Sequence, residues 1–525
     1  MLFTSTTFCL FLVILFIGYY TVFRNIQWQF LLVASFVFYA FSGWTNLIYI
    51  SVTICSTWFA GHMISRIRDR QAQHLSDSPE LSKEDKKAYK AAQKTKMRRW
   101  LIAAMLFNFA ILAVVKYAGF AIQNTNALLE LFGKQPFSMV NFILPMGISF
   151  YTFQTMGYII DVYRGSESEP SLFKLGLFVS FFPQLIQGPI SRFGDLNKTL
   201  FSAHRFDREN FLAGLMRIML GFFKKLVVAD RLLVAVRTLA GSPEEFFGAH
   251  ALFVVLIYAV TLYCDFTGGI DITIGVAKIL GIDIKENFNR PFYATSTADY
   301  WRRWHITMGT WFKDYLFYPI SASNPMMKLY KSAKKRAGEG LAKRAAVYIS
   351  TIILWFATGL WHGAQWNFIV WGLLNGVVIV ISEELSPLYA KFHKRFPFGK
   401  TLGYRAFQVF RTFWLMSLIR TLDVYANVRL TFRMYASILT DFGWARVVSQ
   451  GLDAFGIGLS ECVAAGVAVI IMIAAGYMRH NKKIESSARW PMIRVALIAA
   501  LAFAVLIFGV YGFGYDSNQF IYNQF

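Results

Sequence analysis

The chain has 525 residues, of which 56% are hydrophobic, 17% aromatic and only 16% charged, with a mean hydropathy of +0.44. About a quarter of a soluble domain is charged, so a water-facing globule is excluded. The formal net charge of +23, from 53 Lys+Arg against 30 Asp+Glu, gathers between apolar runs. That distribution is the one found on the cytoplasmic side of membrane proteins, and nucleic acid is not an expected partner.

In chain order, apolar runs occupy residues 6–23, 29–44, 47–63, 101–118, 140–160, 251–263, 347–360, 368–381, 462–477 and 493–510. A bilayer crossing takes about 20 residues, and some of these runs are too short or too glycine-interrupted for simple spans. The expectation is an all-α, polytopic integral membrane protein with roughly ten to twelve spanning helices, plus re-entrant or interfacial ones around a central cavity. The first run has neither a basic leader nor a small-residue cleavage site, and the second run follows closely. It reads as a retained first helix rather than a signal peptide.

Basic residues concentrate in segments 66–99, 328–344, 391–405 and 479–494. The positive-inside rule places all four in the cytoplasm and both termini outside a cell inner or plasma membrane, with anionic lipid headgroups as the natural contact. The polar insert 65–99 breaks at Ser78-Pro79, with a solvated helix expected over 82–97. The basic stretch 321–345, with Gly338 and Gly340, reads as a flexible linker. Otherwise the whole of 1–525 reads as one membrane domain. Cys9, Cys55, Cys264 and Cys462 stand singly in apolar surroundings, which suggests neither a zinc site nor a disulfide framework. Walker, H-E-x-x-H and G-x-S-x-G motifs and internal repeats are absent from the sequence, and no bound metal or cofactor is expected.

Residues 263–320 break the pattern. Tyr263-Cys264-Asp265-Phe266-Thr267-Gly268-Gly269-Ile270-Asp271 sets two carboxylates inside an apolar run. Glu286-Asn287-Phe288-Asn289-Arg290-Pro291 then leads into Asp299-Tyr300-Trp301-Arg302-Arg303-Trp304-His305, and Trp311-Phe312-Lys313-Asp314-Tyr315 follows. Each charge at the bilayer centre costs about 3 kcal/mol by insertion scales, so this stretch cannot face lipid. It is too aromatic for a floppy loop. A re-entrant or interfacial segment bounding a polar cavity satisfies both constraints.

A second anomaly is Gly359-Leu360-Trp361-His362-Gly363-Ala364-Gln365-Trp366-Asn367, between two apolar helices. An ionisable residue at the tip of such a hairpin is a functional-site hypothesis by default. Gly359 and Gly363 are expected to leave room for a ligand beside the imidazole. The other histidines except His305 fall in polar or terminal stretches or near the end of an apolar run. Residues 263–320 and 359–367 leave two readings open: a catalytic base with its cavity, or a solute path lined by charges such as Asp265 and Asp271.

These motifs resemble the membrane-bound O-acyltransferase family, in its bacterial alginate O-acetyltransferase membrane-subunit-like branch. The resemblance extends to Leu144-Pro145-Met146-Gly147-Ile148-Ser149-Phe150-Tyr151 and Phe182-Pro183-Gln184-Leu185-Ile186-Gln187-Gly188-Pro189. It implies an acyltransferase whose central ring of helices surrounds a thinned interior, with funnels from both sides meeting near His362. It also implies His362 and His305 as the catalytic histidines. Cavity or substrate candidates are Asp265, Trp301, Arg302, Arg303, Trp304, Asp314, Trp361, Asn367 and Gln187, and Gln365, Asn367 or Gln187 could serve an oxyanion. Acyl transfer to a hydroxyl needs a base, and an imidazole with an unperturbed pKa near 6.5 suits neutral pH.

The implied donor is acetyl-CoA or an acylated carrier protein acting as co-substrate. The implied acceptor is a cell-envelope polysaccharide, reached directly or through an extracytoplasmic SGNH-type acetyltransferase partner. Two departures put alginate itself in doubt. Ser321-Ala322-Ser323-Asn324-Pro325 replaces a usual Gly-Gly-Asn-Arg turn, and Leu418-Ile419-Arg420-Thr421-Leu422-Asp423 alters a Phe-Arg motif. The aromatic tail 520–525 resembles that branch's tail and is a candidate dock for the partner.

Overall fold

A computed structural model describes residues 3–140, 142–478 and 490–511. Residues 479–489 of the fourth basic segment and the 520–525 tail lie outside the described residues. Among the described residues the secondary structure is helical, with no strand. The chain divides into two compact units, residues 1–207 with 280–284, and residues 208–279 with 285–525.

The first unit contains α1 (Thr6–Tyr20), α2 (Gln27–Ala40), α3 (Asn46–Asp77), α4 (Lys83–Leu131), α5 (Ile148–Arg164), α6 (Leu172–Ser180), α7 (Phe182–Leu185) and α8 (Phe193–Leu200). On α1, Leu10, Ile14 and Ile17 are each 61% exposed, an outward apolar face suited to lipid. The break at Ser78-Pro79 separates α3 from α4, and the Ser82 hydroxyl caps α4 by accepting from the Asp85 N–H at 3.1 Å. With 49 residues, α4 is roughly 74 Å long against about 30 Å of hydrocarbon. The polar insert is therefore the overhanging ends of two spanning helices.

Between α6 and α8 the chain is irregular yet buried. Such backbone survives at membrane depth only inside protein. Here the Phe182 N–H donates to Ser35 Oγ at 3.3 Å, and Gln184 Nε2 donates to Ser191 Oγ at 3.0 Å. The Leu185 carbonyl occupies the space beside Gly147, whose φ of 71° suits glycine.

The second unit contains α9 (Arg208–Phe222), a π-helical segment (Phe223–Ala229), α10 (Asp230–Gly241), α11 (Ala249–Ile279), α12 (Thr297–Arg303), α13 (Ile306–Phe312) and α14 (Tyr318–Ser321). It continues with α15 (Asn324–His362), α16 (Trp366–Glu384), α17 (Ser386–Arg395), α18 (Leu402–Arg420), α19 (Leu422–Tyr425) and α20 (Val428–Thr440). The last described helices are α21 (Trp444–Gln450), α22 (Leu459–Met478) and α23 (Trp490–Phe508). Glycines bring α9 and α11 together: a Cβ on Gly221 would meet the Gly268 carbonyl at 2.6 Å, and one on Gly275 would meet the Gly214 carbonyl at 2.7 Å. Small residues of this kind let helix backbones approach without a side-chain layer.

The stretch 321–345, expected as a flexible linker, is instead helical from Asn324, with a break confined to Gly338 (φ 83°, ψ 167°). Its Lys, Ala and Arg residues are good helix formers, and Ser323 caps the N-terminus. Five helices among the described residues are long and apolar enough to cross a membrane, or six if Trp444–Phe455 and Leu459–Ala474, bent by 87°, form one span. The ten to twelve expected from apolar runs exceed this because several runs fold as shorter helices. Thr6–Tyr20, Gln27–Ala40 and Met492–Phe508 are of that kind.

Candidate active site

His362 is the last residue of α15, at the tip of the hairpin with α16, and is 2% exposed. The hairpin closes tightly because Gly359, Gly363 and Gly372 leave no room for a Cβ. It would strike the Phe368 carbonyl, the Phe368 ring and the Trp355 carbonyl respectively. Gly359 and Gly363 therefore do not provide ligand space beside the imidazole, as the sequence suggested. Phe368 and its backbone fill that space.

Around the imidazole the walls are aromatic. The ring of Trp371 lies 4.6 Å from that of His362 at 76°, and Trp361 lies 5.1 Å away at 74°. The same Trp361 ring is 6.0 Å from His305, so one indole borders both histidines. Trp301 stands behind, 4.7 Å from Trp355 and 5.6 Å from Trp371, with its Nε1 donating to Asn375 Oδ1 at 3.1 Å.

His305 is fully buried and sits in the left-handed region, with φ 48° and ψ 53°, between α12 and α13. That conformation costs a non-glycine residue about 1 kcal/mol or more, so the surroundings must impose it. Asn287 does so. Its Oδ1 accepts from the Thr307 N–H at 3.0 Å and the Thr307 hydroxyl at 2.9 Å, and its backbone carbonyl accepts from the Ile306 N–H at 2.9 Å. The same Oδ1 lies 3.3 Å from His305 Nδ1. Because the Thr307 N–H identifies that atom as an acceptor, Nδ1 carries the proton and the lone pair resides on Nε2. His305 lies outside the spanning helices. Burial, reinforced by the Arg420 guanidinium, holds its pKa far below the usual imidazole range, at about 3.

The remaining candidates divide. Trp304 is buried 5.0 Å from Phe288 and stacked 5.6 Å from Tyr300, forming a wall beside His305. Asn367 is buried, but its Nδ2 donates to the Leu422 carbonyl at 3.1 Å, tying α16 to α19. Gln365 is exposed. Arg303, partly buried, pairs with Asp299 at 3.1 Å, and Arg302 lies 3.6 Å from the same carboxylate with a 71% exposed side chain, so both engage the acidic residue at the start of α12. Asp314 is half-buried. Gln187 belongs to the first unit, where it is fully buried.

Asp265 belongs to a charged seam. Lys225 Nζ lies 2.7 Å from both Asp265 and Asp230, while Asp271 is held by Lys224 at 2.6 Å and Arg217 at 2.6 Å, and Arg217 also reaches Glu286. Neither Lys224 nor Lys225 was singled out from sequence. Their signal was adjacent lysines in an apolar stretch, which only pairing with carboxylates reconciles with burial. Asn287, Trp371 and Arg420 were missed as site components as well. Among the described residues no group of three or more His, Cys, Asp or Glu could hold a metal ion.

Residues 130–423 match the model of the membrane-bound O-acyltransferase family. The chain belongs to this family. As a member of this acyltransferase family it is a multi-pass membrane protein, and its apolar helices agree. It is 32% identical over 401 residues to the probable alginate O-acetylase of Pseudomonas aeruginosa, covering 74% of this chain and 66% of that one. It is 32% identical over 394 residues to the peptidoglycan O-acetyltransferase of Helicobacter pylori, covering 70% and 66%. The teichoic acid D-alanyltransferase of Streptococcus thermophilus is 30% identical over 252 residues, 47% and 58% of the two chains. The chain thus spans just under two thirds of the length of the Pseudomonas and Helicobacter proteins. Both motif histidines fall inside the family match.

Proposed function

We propose that this family member moves an acyl group, acetyl foremost, from a cytosolic thioester to hydroxyls of a cell-envelope or exopolysaccharide polymer, with His362 as the base. The donor is acetyl-CoA or an acylated carrier protein. The polymer is reached directly or through an extracytoplasmic SGNH-type acetyltransferase. The protein resides in the inner or plasma membrane with both termini outside. The observation that carries this reading is the buried His362 at a hairpin tip, sharing the Trp361 ring with a second buried histidine.

The chemistry follows from that enclosure. The imidazole takes the acceptor hydroxyl proton as the oxygen attacks the thioester carbonyl. The tetrahedral intermediate then collapses, and the proton passes to the leaving thiolate. The imidazolium formed in between lies beside the Trp371 ring, whose centroid is 4.6 Å from that of His362. For His305, the low pKa supports an orienting or path-lining role over proton sharing. A solute-transport path is disfavoured because Asp265 and Asp271 are engaged by buried cations.

Membranes carrying wild-type or H362Q protein, given radiolabelled acetyl-CoA and envelope polysaccharide, test the base. Alkali-labile label should fall by about 10²–10⁴-fold in H362Q, with the protein still inserted. Full retained transfer would sink the assignment.

A further inference from the structure

Arg420 ends α18, is 7% exposed, and sets its charge against the aromatic wall. Its Nε lies 3.0 Å from Asp423 Oδ2, so the ion pair keeps the guanidinium beside that carboxylate. Its Cζ lies 4.9 Å from the centroid of Trp371 and 5.8 Å from that of Trp304. Trp371 lies 4.6 Å from His362, and Trp304 immediately precedes His305 in the chain. A second tie reinforces the first, because Asn367, on the same helix as Trp371, donates to the carbonyl of Leu422, next to Asp423.

A planar guanidinium over an indole is a strong, orientation-dependent contact when desolvated, and lysine does not reproduce its geometry. We propose that Arg420 is a positioning residue for the transfer step. Anchored by Asp423, it fixes the Trp371 ring against which the His362 imidazole is set, and it touches no substrate. This rests on the assignment of His362 as the base. The chain of action is Asp423 to Arg420 to Trp371 to His362, and every link is within the second unit.

The acetyl-transfer assay on membranes, with kcat and KM for acetyl-CoA measured per inserted protein, tests it. R420Q and W371F should each lower kcat, R420Q by about tenfold or more, with KM changed less than twofold. The R420Q/W371F double variant should be no slower than the slower single variant, because both changes cut one chain of action. R420Q leaves Asp423 buried beside no cation, so R420Q/D423N, which removes both charges, guards against a folding defect. It should insert as wild type and show the same loss of kcat. Wild-type kcat in R420Q/D423N, losses that multiply in the double variant, or a raised KM with unchanged kcat would each overturn the proposal. H362Q run alongside separates the two readings. An inactive H362Q with a fully active R420Q/D423N sinks this inference alone, whereas an active H362Q sinks the base and this inference with it.

Discussion

Helix α11 borders two different interiors. Through Asp265 and Asp271 it enters a seam where Arg217, Lys224, Lys225, Asp230 and Glu286 neutralise one another within 2.5–2.7 Å. Through Phe266, one residue from Asp265, it enters an aromatic pocket, 5.0 Å from the ring of His305. The seam places charges where only other charges can satisfy them, and each is engaged by an opposite partner. The pocket instead surrounds two imidazoles with indoles and phenyl rings, and the Arg420 guanidinium there is paired with Asp423 and lies over Trp371. Charge in a dry interior is a structural commitment when matched. An imidazole in the same surroundings can stay neutral without a partner of opposite charge, as His305 does.

If the seam is structural, breaking it should cost far more stability than activity. K225M removes the cation shared by Asp265 and Asp230 and leaves two buried carboxylates. A loss of about 3–5 kcal/mol is expected, seen as early unfolding in detergent by fluorescence-detected size exclusion. Unchanged unfolding would remove the seam's structural role.

A smaller effect is expected at the edge of the pocket. N287A deletes the oxygen that holds Thr307 and His305 Nδ1, at a cost of about 1–3 kcal/mol. Here, unlike in K225M, acetyl transfer per folded molecule should fall too, because His305 loses the constraint on its tautomer and its left-handed backbone. Loss of stability with full specific activity would move Asn287 to the structural side of the comparison.

The smallest effect is the pH slope of stability. Folded His305 has a pKa of about 3 against 6.5 for the ordinary group. Between those values the unfolded chain binds the extra proton, so stability falls as pH drops below 6.5. The slope is about 1.4 kcal/mol per pH unit. Unfolding measured from pH 6.5 to 5 should show this slope in wild type and a shallower one in H305Q. Equal slopes would mean that His305 is not held neutral by the fold.

Much of this protein was legible from local chemistry. Hydropathy demanded a helical membrane protein, and Ser78-Pro79 marked the break before α4. The Trp-His-Gly and Trp-Arg-Arg-Trp-His motifs pointed to His362 and His305 before any coordinates. These are short-range properties: apolar length, capping, and the cost of an ionisable group among apolar neighbours. What the chain's order could not convey is who satisfies whom. Asp265 and Lys225 are 40 positions apart and meet only because Gly214, Gly221, Gly268 and Gly275 let α9 and α11 touch. The glycines beside His362 looked like ligand space but serve hairpin packing, and Arg420 joins the histidines only once α18 lies against Trp304 and Trp371. A pattern of residue types states which groups need partners. The crossing of helices then selects the partners, because burial and distance are properties of the packed chain.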